Sequence, residues 1–324
     1  MDALSDILRV IKLDSAIYLN AEFSEPWSLA TPDSRALAPI LAHGAEHVII
    51  YHLLCEGRAH VEVAGGERVE LSAGDLVSFP HGDAHVIGSG TRITPIDACR
   101  ALPAVLERGL ELLSFGGGGA ACRFICGYLA CDPKLCRTVL GGLPPLIRIN
   151  IRDDSSGRWL ENSLKFSVAQ AANREPGASA MLAKLSEVFF TEMLRRFVRD
   201  LPPGQTGWLA GTRDAEVGRA LALLHAQPAR PWTVAELARE TGLSRTVIAQ
   251  RFRLFLGESP MAYLTRWRLR LGARALTTTS HSVAEIASEV GYESEAAFNR
   301  AFKREYGTPP ARYRRGRGKD EGRR

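Results

Sequence analysis

Apolar positions change their period along this chain. From about Ile49 to Ile96 they come in short runs: Val48-Ile-Ile-Tyr-His-Leu-Leu, Ala59-His-Val-Glu-Val-Ala, Glu67-Arg-Val-Glu-Leu and Leu76-Val-Ser-Phe. Glu56-Gly57, Gly65-Gly66, Ala73-Gly74-Asp75 and Pro80-His-Gly-Asp83 separate them. Short strands at this spacing, bounded by turn residues, predict a β-sandwich or barrel. A further strand-like run, Leu146-Ile-Arg-Ile-Asn-Ile, follows Gly141-Gly-Leu-Pro-Pro145. From Ala178 to Leu201 the period turns helical, with Met181, Leu182, Leu185, Val188, Phe189, Leu194, Phe197 and Val198 recurring three and four apart. Asp200-Leu-Pro-Pro-Gly-Gln-Thr-Gly207 has the composition of a linker.

A near-repeat organises the last third. Val234-Ala-Glu-Leu-Ala-Arg-Glu-Thr-Gly242 recurs as Val283-Ala-Glu-Ile-Ala-Ser-Glu-Val-Gly291. A second apolar-periodic stretch follows each copy, Ser244 to Leu256 and Ser294 to Tyr306. The offset is 49 residues before the glycine turn (Val234 to Val283) and 50 after it (Phe252 to Phe302), so the second turn is one residue longer. Thr233 with Glu236, and Ser282 with Glu285, have capping-box spacing. Gly242 and Gly291 suit left-handed turns, and Ser244 and Ser294 can cap the helices that follow. Val247, Ile248, Phe252 and Phe255 would face inward in the first unit, and Ala297, Phe298 and Phe302 in the second. Arg245, Thr246, Ala249, Gln250 and Arg253 then face out, as do Glu295, Ala296, Asn299, Arg300 and Lys303. Between the units, Pro260 to Leu276 reads as one uninterrupted helix of about 25 Å. A helix-turn-helix pair places its second helix in the DNA major groove, and two copies imply one chain reading two neighbouring groove segments.

Charge sharpens this reading. The 324 residues carry a net charge of +5, unevenly spread. Residues 214–324 hold 20 Lys and Arg against 12 Asp and Glu, a net +8, which leaves residues 1–213 at −3. A basic C-terminal part suits a polyanionic partner. No run approaches the ~18 apolar residues of a membrane helix. Met1-Asp-Ala-Leu-Ser-Asp lacks the basic and apolar regions of a signal peptide. The expectation is a cytoplasmic protein with no membrane association.

The C-terminal residues resemble the AraC/XylS family of transcription regulators. The resemblance covers about Asp214 to Arg315 and includes Ala287-x3-Gly291-Tyr292-x-Ser294-x3-Phe298-x-Arg300-x-Phe302-Lys303-x3-Gly307-x-Pro309-Pro310-x2-Tyr313-Arg314. It implies two helix-turn-helix units joined by a long helix. Base contacts would fall to Thr246, Ala249 and Gln250 in the first unit, and to Glu295, Ala296, Asn299 and Arg300 in the second. Arg245, Arg251 and Lys303 would contact phosphates, which position without specifying. The basic, glycine-rich tail with Arg317, Lys319, Arg323 and Arg324 could add unspecific attraction.

Gly74-x5-Pro80-x-Gly82-x2-His85 resembles the second cupin motif, which implies a barrel of the kind such regulators carry for sensing. The first cupin motif is degraded: His52 and Glu56 are present, but no His-x-His precedes Gly57. His85 matches the final metal ligand by position. Cys122, Cys126, Cys131 and Cys136 cluster, whereas Cys55 and Cys99 are isolated. The four could sense thiol oxidation, bind zinc together with histidines, or be inert buried residues. On one strand, Cys122 and Cys126 would lie about 13 Å apart, too far to share an ion.

The expected fold class is α+β and multidomain. It comprises a cupin-like β-barrel with packed helices (1–203), a linker (204–213), an all-α double helix-turn-helix domain (214–316) and a basic tail (317–324). The expected function is sequence-specific DNA binding for transcriptional regulation, controlled by a small ligand, thiol oxidation or a metal. Expected partners are double-stranded promoter DNA, the effector, a second copy of the chain through the 178–201 helix, and RNA polymerase if the protein activates. The alternatives are a cupin enzyme fused to a DNA-binding module, and a constitutive DNA binder whose barrel is a dimerisation scaffold.

Overall fold

The computed structural model describes residues 2–11, 13–42, 44–131 and 139–321, with side chains as far as residue 315. Cys136, His43 and the tail side chains Arg317, Lys319, Arg323 and Arg324 lie outside the described residues. The chain forms two compact units. One is Lys12–Asp200; the other joins Met1–Ile11 to Leu201–Arg324.

Lys12–Asp200 is built on two sheets. The first comprises β1 (Leu13–Ser24), β3 (Val48–Glu56), β6 (Asp75–Phe79), β9 (Leu113–Gly116), β10 (Ala121–Cys131) and β11 (Ile147–Asn150), in the order β11-β6-β3-β10-β1-β9. The second comprises β2 (Trp27–Thr31), β4 (Arg58–Val63), β5 (Arg68–Ser72), β7 (His85–Ser89) and β8 (Ile96–Asp97), in the order β5-β4-β7-β2-β8. Pairing is antiparallel except for β1 with β9 and β2 with β8. Leu54, Val61, Val77, Ile87 and Phe124 share one core cluster drawn from both sheets. The helices of this unit are α2 (Ser34–Leu41), α3 (Ala98–Arg108), α4 (Ser155–Ala172) and α5 (Ala178–Asp200).

The continuous apolar run Val48–Cys55 has a physical reason. β3 is buried at every position but Glu56. Alternate residues face the core, and α5 lies over the other face of this sheet. There the Tyr51 hydroxyl donates to Ser186 Oγ (2.6 Å), and Ser15 Oγ donates to the Ala183 carbonyl (2.7 Å). A strand covered on both sides has no polar face to show. Arg196 on α5, almost wholly buried, binds both Asp154 carboxylate oxygens at 2.8 Å and Glu192 at 2.8 Å, and donates to the Asn150 carbonyl (3.1 Å). It ties the end of β11 to both long helices.

The second unit holds α1 (Ala3–Val10), α6 (Trp208–Arg213), α7 (Ala215–Ala226), α8 (Val234–Thr241), α9 (Arg245–Leu256), α10 (Pro260–Thr278), α11 (Val283–Glu289), α12 (Glu295–Tyr306) and α13 (Pro310–Glu321). α10 serves two cores. Its first half contributes Tyr263 and Trp267, and Trp267 stacks on His225 of α7 at 3.9 Å. Its second half places Leu269, Ala273 and Leu276 against Ile286, Phe298 and Phe302. Tyr313 packs edge-on to Phe302, and Arg314 donates to the Leu276 and His281 carbonyls.

Three boundaries differ from the sequence reading. Residues 208–213, read as linker, form α6, whose Trp208, Leu209 and Ala210 are buried; the Trp208 indole N–H donates to Tyr263 Oη (3.0 Å). Residues 1–11, assigned to the barrel domain, belong to the helical unit: Ala3, Ile7 and Val10 of α1 are buried, and α1 packs on α6, α7 and α10. α13 continues through Glu321, beyond the limit of 316 read for the domain.

Candidate functional site

Local chemistry builds both helix-turn-helix units as the repeat implies. Glu236 accepts from the Thr233 backbone N–H (2.9 Å), and Thr233 Oγ1 accepts from the Glu236 N–H (3.1 Å). Glu285 and Ser282 do the same at 2.7 and 3.2 Å. Each box satisfies donors that a helix start leaves unpaired. Gly242 and Gly291 turn the chain with φ of 76° and 88°. Ser244 and Ser294 then cap α9 and α12, each accepting a backbone N–H at 3.2 Å.

Ile248 and Phe252 anchor α9, and Phe298 and Phe302 anchor α12, all fully buried. Arg245, Thr246, Gln250 and Arg253 are exposed on α9, with Ala249 half-buried beside them. Glu295, Ala296, Arg300 and Lys303 are exposed on α12. Asn299 is half-buried, and its amide donates to Glu295 Oε1 at 3.3 Å. Each exposed face is therefore assembled by one helix over one apolar anchor pair.

Two residues depart from the reading. Val247, expected in the core, is 38% exposed, because Ile248 and Phe252, four apart, already fill the space beneath α9. Phe255 is half-buried. Arg251, expected at a phosphate, bonds instead to Asp214 (2.5 Å) and Glu216 (2.8 Å) at the start of α7. Two carboxylates neutralise its charge, and it locks α9 to α7.

In the β-unit, His52 on β3 and His85 on β7 meet across the two sheets, Nε2 to Nε2 at 2.9 Å. His52 Nδ1 lies 2.8 Å from Cys126 Sγ on β10, and His85 Nδ1 lies 3.0 Å from the Asp83 carbonyl. Burial, with His85 adding to it, holds the His52 pKa well below the usual histidine value, and burial lowers His85 to about 4. Burial likewise pushes the Cys126 thiol well up, Cys122 to about 11 and Cys55 to about 12. Cys126 is thus a protonated thiol beside a neutral imidazole, the opposite of an activated thiolate.

Cys122, Cys126 and Cys131 all lie on β10, buried and free. At ~3.3 Å per residue they are spread along the strand. Glu56 is exposed at the end of β3. Among the described residues no three His, Cys, Asp or Glu side chains are gathered to hold a metal. Of the residues expected to hold zinc, His52 lies against Cys126 and His85, Cys122 and Cys131 stand elsewhere along β10, and Cys136 is outside the described residues.

What the barrel does hold is an apolar cavity of about 140 Å³. His52 and Cys126 reach its wall from the first sheet, joined by Phe23, Trp27, Leu102 and Phe124. Sequence reading missed β1, β2 and β10, which supply much of that wall. Part of the signal was present: Leu19, Ala21 and Phe23 alternate inward along β1, after an irregularity in register between Ile17 and Leu19.

Comparison with known proteins finds two family models along the chain. A family model described as cupin matches residues 2–199, and one described as a helix-turn-helix domain matches residues 237–316. The HTH-type transcriptional regulator AlkR of Acinetobacter baylyi is 31% identical over 97% of this chain and 99% of its own length. An AraC-like transcription regulator of Streptomyces lividans is 31% identical over 97% and 98%. The RCS-specific HTH-type transcriptional activator RclR of Escherichia coli is 28% identical over 97% of each. Among the described residues no helix is long and apolar enough to cross a membrane. With relatives aligned end to end through both units, the chain belongs to the AraC family of DNA-binding transcriptional regulators, in the form that carries a cupin-type N-terminal part.

Proposed function

We propose that α9 and α12 read promoter DNA through Thr246, Ala249 and Gln250, and through Glu295, Ala296, Asn299 and Arg300, while Arg245 and Lys303 hold phosphates. The observation that carries this is the sorting of each repeat: its large apolar anchors are buried, and its short, polar and cationic residues stay on one exposed helix face. The Asn299–Glu295 bond supports a cooperative pair, with Glu295 presenting acceptors to an amino group such as cytosine N4. Arg251 is left out, since Asp214 and Glu216 hold it.

The test is a gel shift on DNA upstream of the protein's own and adjacent genes. Arg300→Ala and Gln250→Ala are expected to cost about 1–3 kcal/mol each and to relax preference at one or two base pairs. Lys303→Ala should weaken binding evenly across sequences. Binding without sequence preference in the unaltered chain, or base-independent losses in all three variants, would refute the reading.

For the signal, a small organic ligand in the β-unit is favoured over thiol oxidation or a metal. The cavity supports the first; the protonated thiols and the contacts of His52 with Cys126 and His85 weigh against the others, and against a cupin enzyme. The same shift run oxidised, reduced and with chelator should show one affinity throughout. A second copy of the chain is the proposed partner for the exposed apolar face of α4 and α5.

A further inference from the structure

The cavity of the β-unit has a chemistry narrow enough to name its occupant. We propose that it binds a small uncharged aromatic compound, and that this compound is the effector; the proposal rests on the reading of the β-unit as a ligand sensor.

Size comes first. About 140 Å³ is close to the dry engineered cavity of roughly 150 Å³ that admits benzene. Charge is next. Among the described residues no Lys, Arg, Asp or Glu lines the cavity, and the one histidine on its wall is already bonded through both nitrogens. A charged ligand would lose its water and gain no counter-charge.

The wall is aromatic. Phe23 stacks on Trp27 at 4.1 Å and on Phe115 at 5.6 Å, and Phe124 meets Trp27 edge-on at 5.8 Å. Rings inserted among rings find both stacked and edge-on partners. Trp27 offers the cavity its ring, since its indole nitrogen is buried against the Cys122 thiol, which does not line the cavity.

The way in has the same character. Ile96 (59% exposed), Phe115 (40%) and Ile93 line the cavity and also face solvent, giving an apolar mouth. An exposed apolar rim continuous with an apolar hollow marks a route for a ligand.

The test is calorimetric titration of the full chain with acetophenone, benzoate, benzylamine, ethylbenzene and 1-hexanol. Acetophenone is expected to bind at one site, with benzoate and benzylamine at least about tenfold weaker. Ethylbenzene, uncharged and aromatic, should bind at the same site within about tenfold of acetophenone. Leu102→Trp, which fills the cavity, should abolish binding; the probes on the unaltered chain keep the class testable if that variant misfolds.

Benzoate or benzylamine binding as tightly as acetophenone, at a site Leu102→Trp closes, overturns the uncharged class and leaves the sensor reading intact. 1-Hexanol binding more tightly than acetophenone overturns the aromatic class in the same way. Failure of every probe, with Leu102→Trp showing unaltered DNA binding, overturns the class and the sensor reading together.

Discussion

Gly242 and Gly291 occupy the same place in the two halves of the repeat, yet differ in what a methyl group would meet. Both have positive φ, which costs an L-residue about 1–2 kcal/mol. A Cβ on Gly242 would reach open space, whereas one on Gly291 would lie 2.6 Å from Ala229 Cα. Gly242→Ala should therefore destabilise the helical unit by about 1–2 kcal/mol, and Gly291→Ala by clearly more, measured by denaturant unfolding. Equal losses would show that the second turn can yield. His225 gives a pH prediction of defined sign. The Trp208 indole donates to Tyr263 Oη, so Tyr263 donates in turn to His225 Nε2 (2.7 Å) and His225 is a neutral acceptor. Burial, with Arg270 adding to it, lowers its pKa to about 3, against 6.5 ordinarily. The unfolded chain binds the proton first, so this stability is whole above pH 6.5 and is lost as pH falls towards 3. From pH 6.5 to 5, above the carboxylate range, the helical unit should lose up to about 1.4 kcal/mol per pH unit from this residue. His225→Gln should flatten that slope; an unchanged slope would assign it elsewhere. At this scale the sequence was legible where partners sit three or four apart, as in the two capping boxes. It was silent on Arg251, because Asp214 is 37 residues away along the chain.

At the scale of elements, α5 divides its apolar residues between two faces. Leu182, Phe189, Met193 and Leu194 are buried, whereas Met181 and Val188 are exposed. Across from them on α4 stand Trp159 and Phe166, 65% and 61% exposed. Side chains this large, gathered on two neighbouring helices, mark an association surface. Trp159→Glu with Met181→Glu should give a monomer by sedimentation while the melting temperature of the β-unit holds. A dimer that persists would remove this face from the interface. The helical period of residues 178–201 was readable because 23 residues give six turns of pattern. α6 was not readable, since six residues after a Pro-Pro-Gly turn carry no period, and the indole of Trp208 finds its hydrogen-bond partner in Tyr263, 55 positions on. The separation of the cysteines followed from strand rise alone. The meeting of Cys126 with His52 did not, because it depends on the β10–β3 register that pairs the two.

For the whole molecule, the order of the chain and the order of the fold differ. The chain begins in the helical unit, builds the entire β-unit from Lys12 to Asp200, and returns. No local pattern announced this. α1 has an apolar stripe, Ala3, Ile7 and Val10, but a stripe does not say which core receives it. The charge division had suggested a split near residue 213, and it did separate the polyanion-binding part, but α1 carries too few charges to register there. The consequence can be measured. Asp6 Oδ2 lies 3.7 Å from His225 Nδ1, and Ile7 is fully buried on the helices that carry the first recognition helix. Removing an apolar anchor of this size costs about 2–5 kcal/mol. Deleting residues 2–11, or substituting Ile7→Ala, should therefore speed amide exchange across α7 and the first half of α10, with β3 and β10 unchanged. Affinity for promoter DNA should fall with it, chiefly through the first repeat, so that Gln250→Ala costs less in the deleted chain than in the full one. Unchanged exchange in α7 after the deletion would show that α1 rests on the helical unit without supporting it.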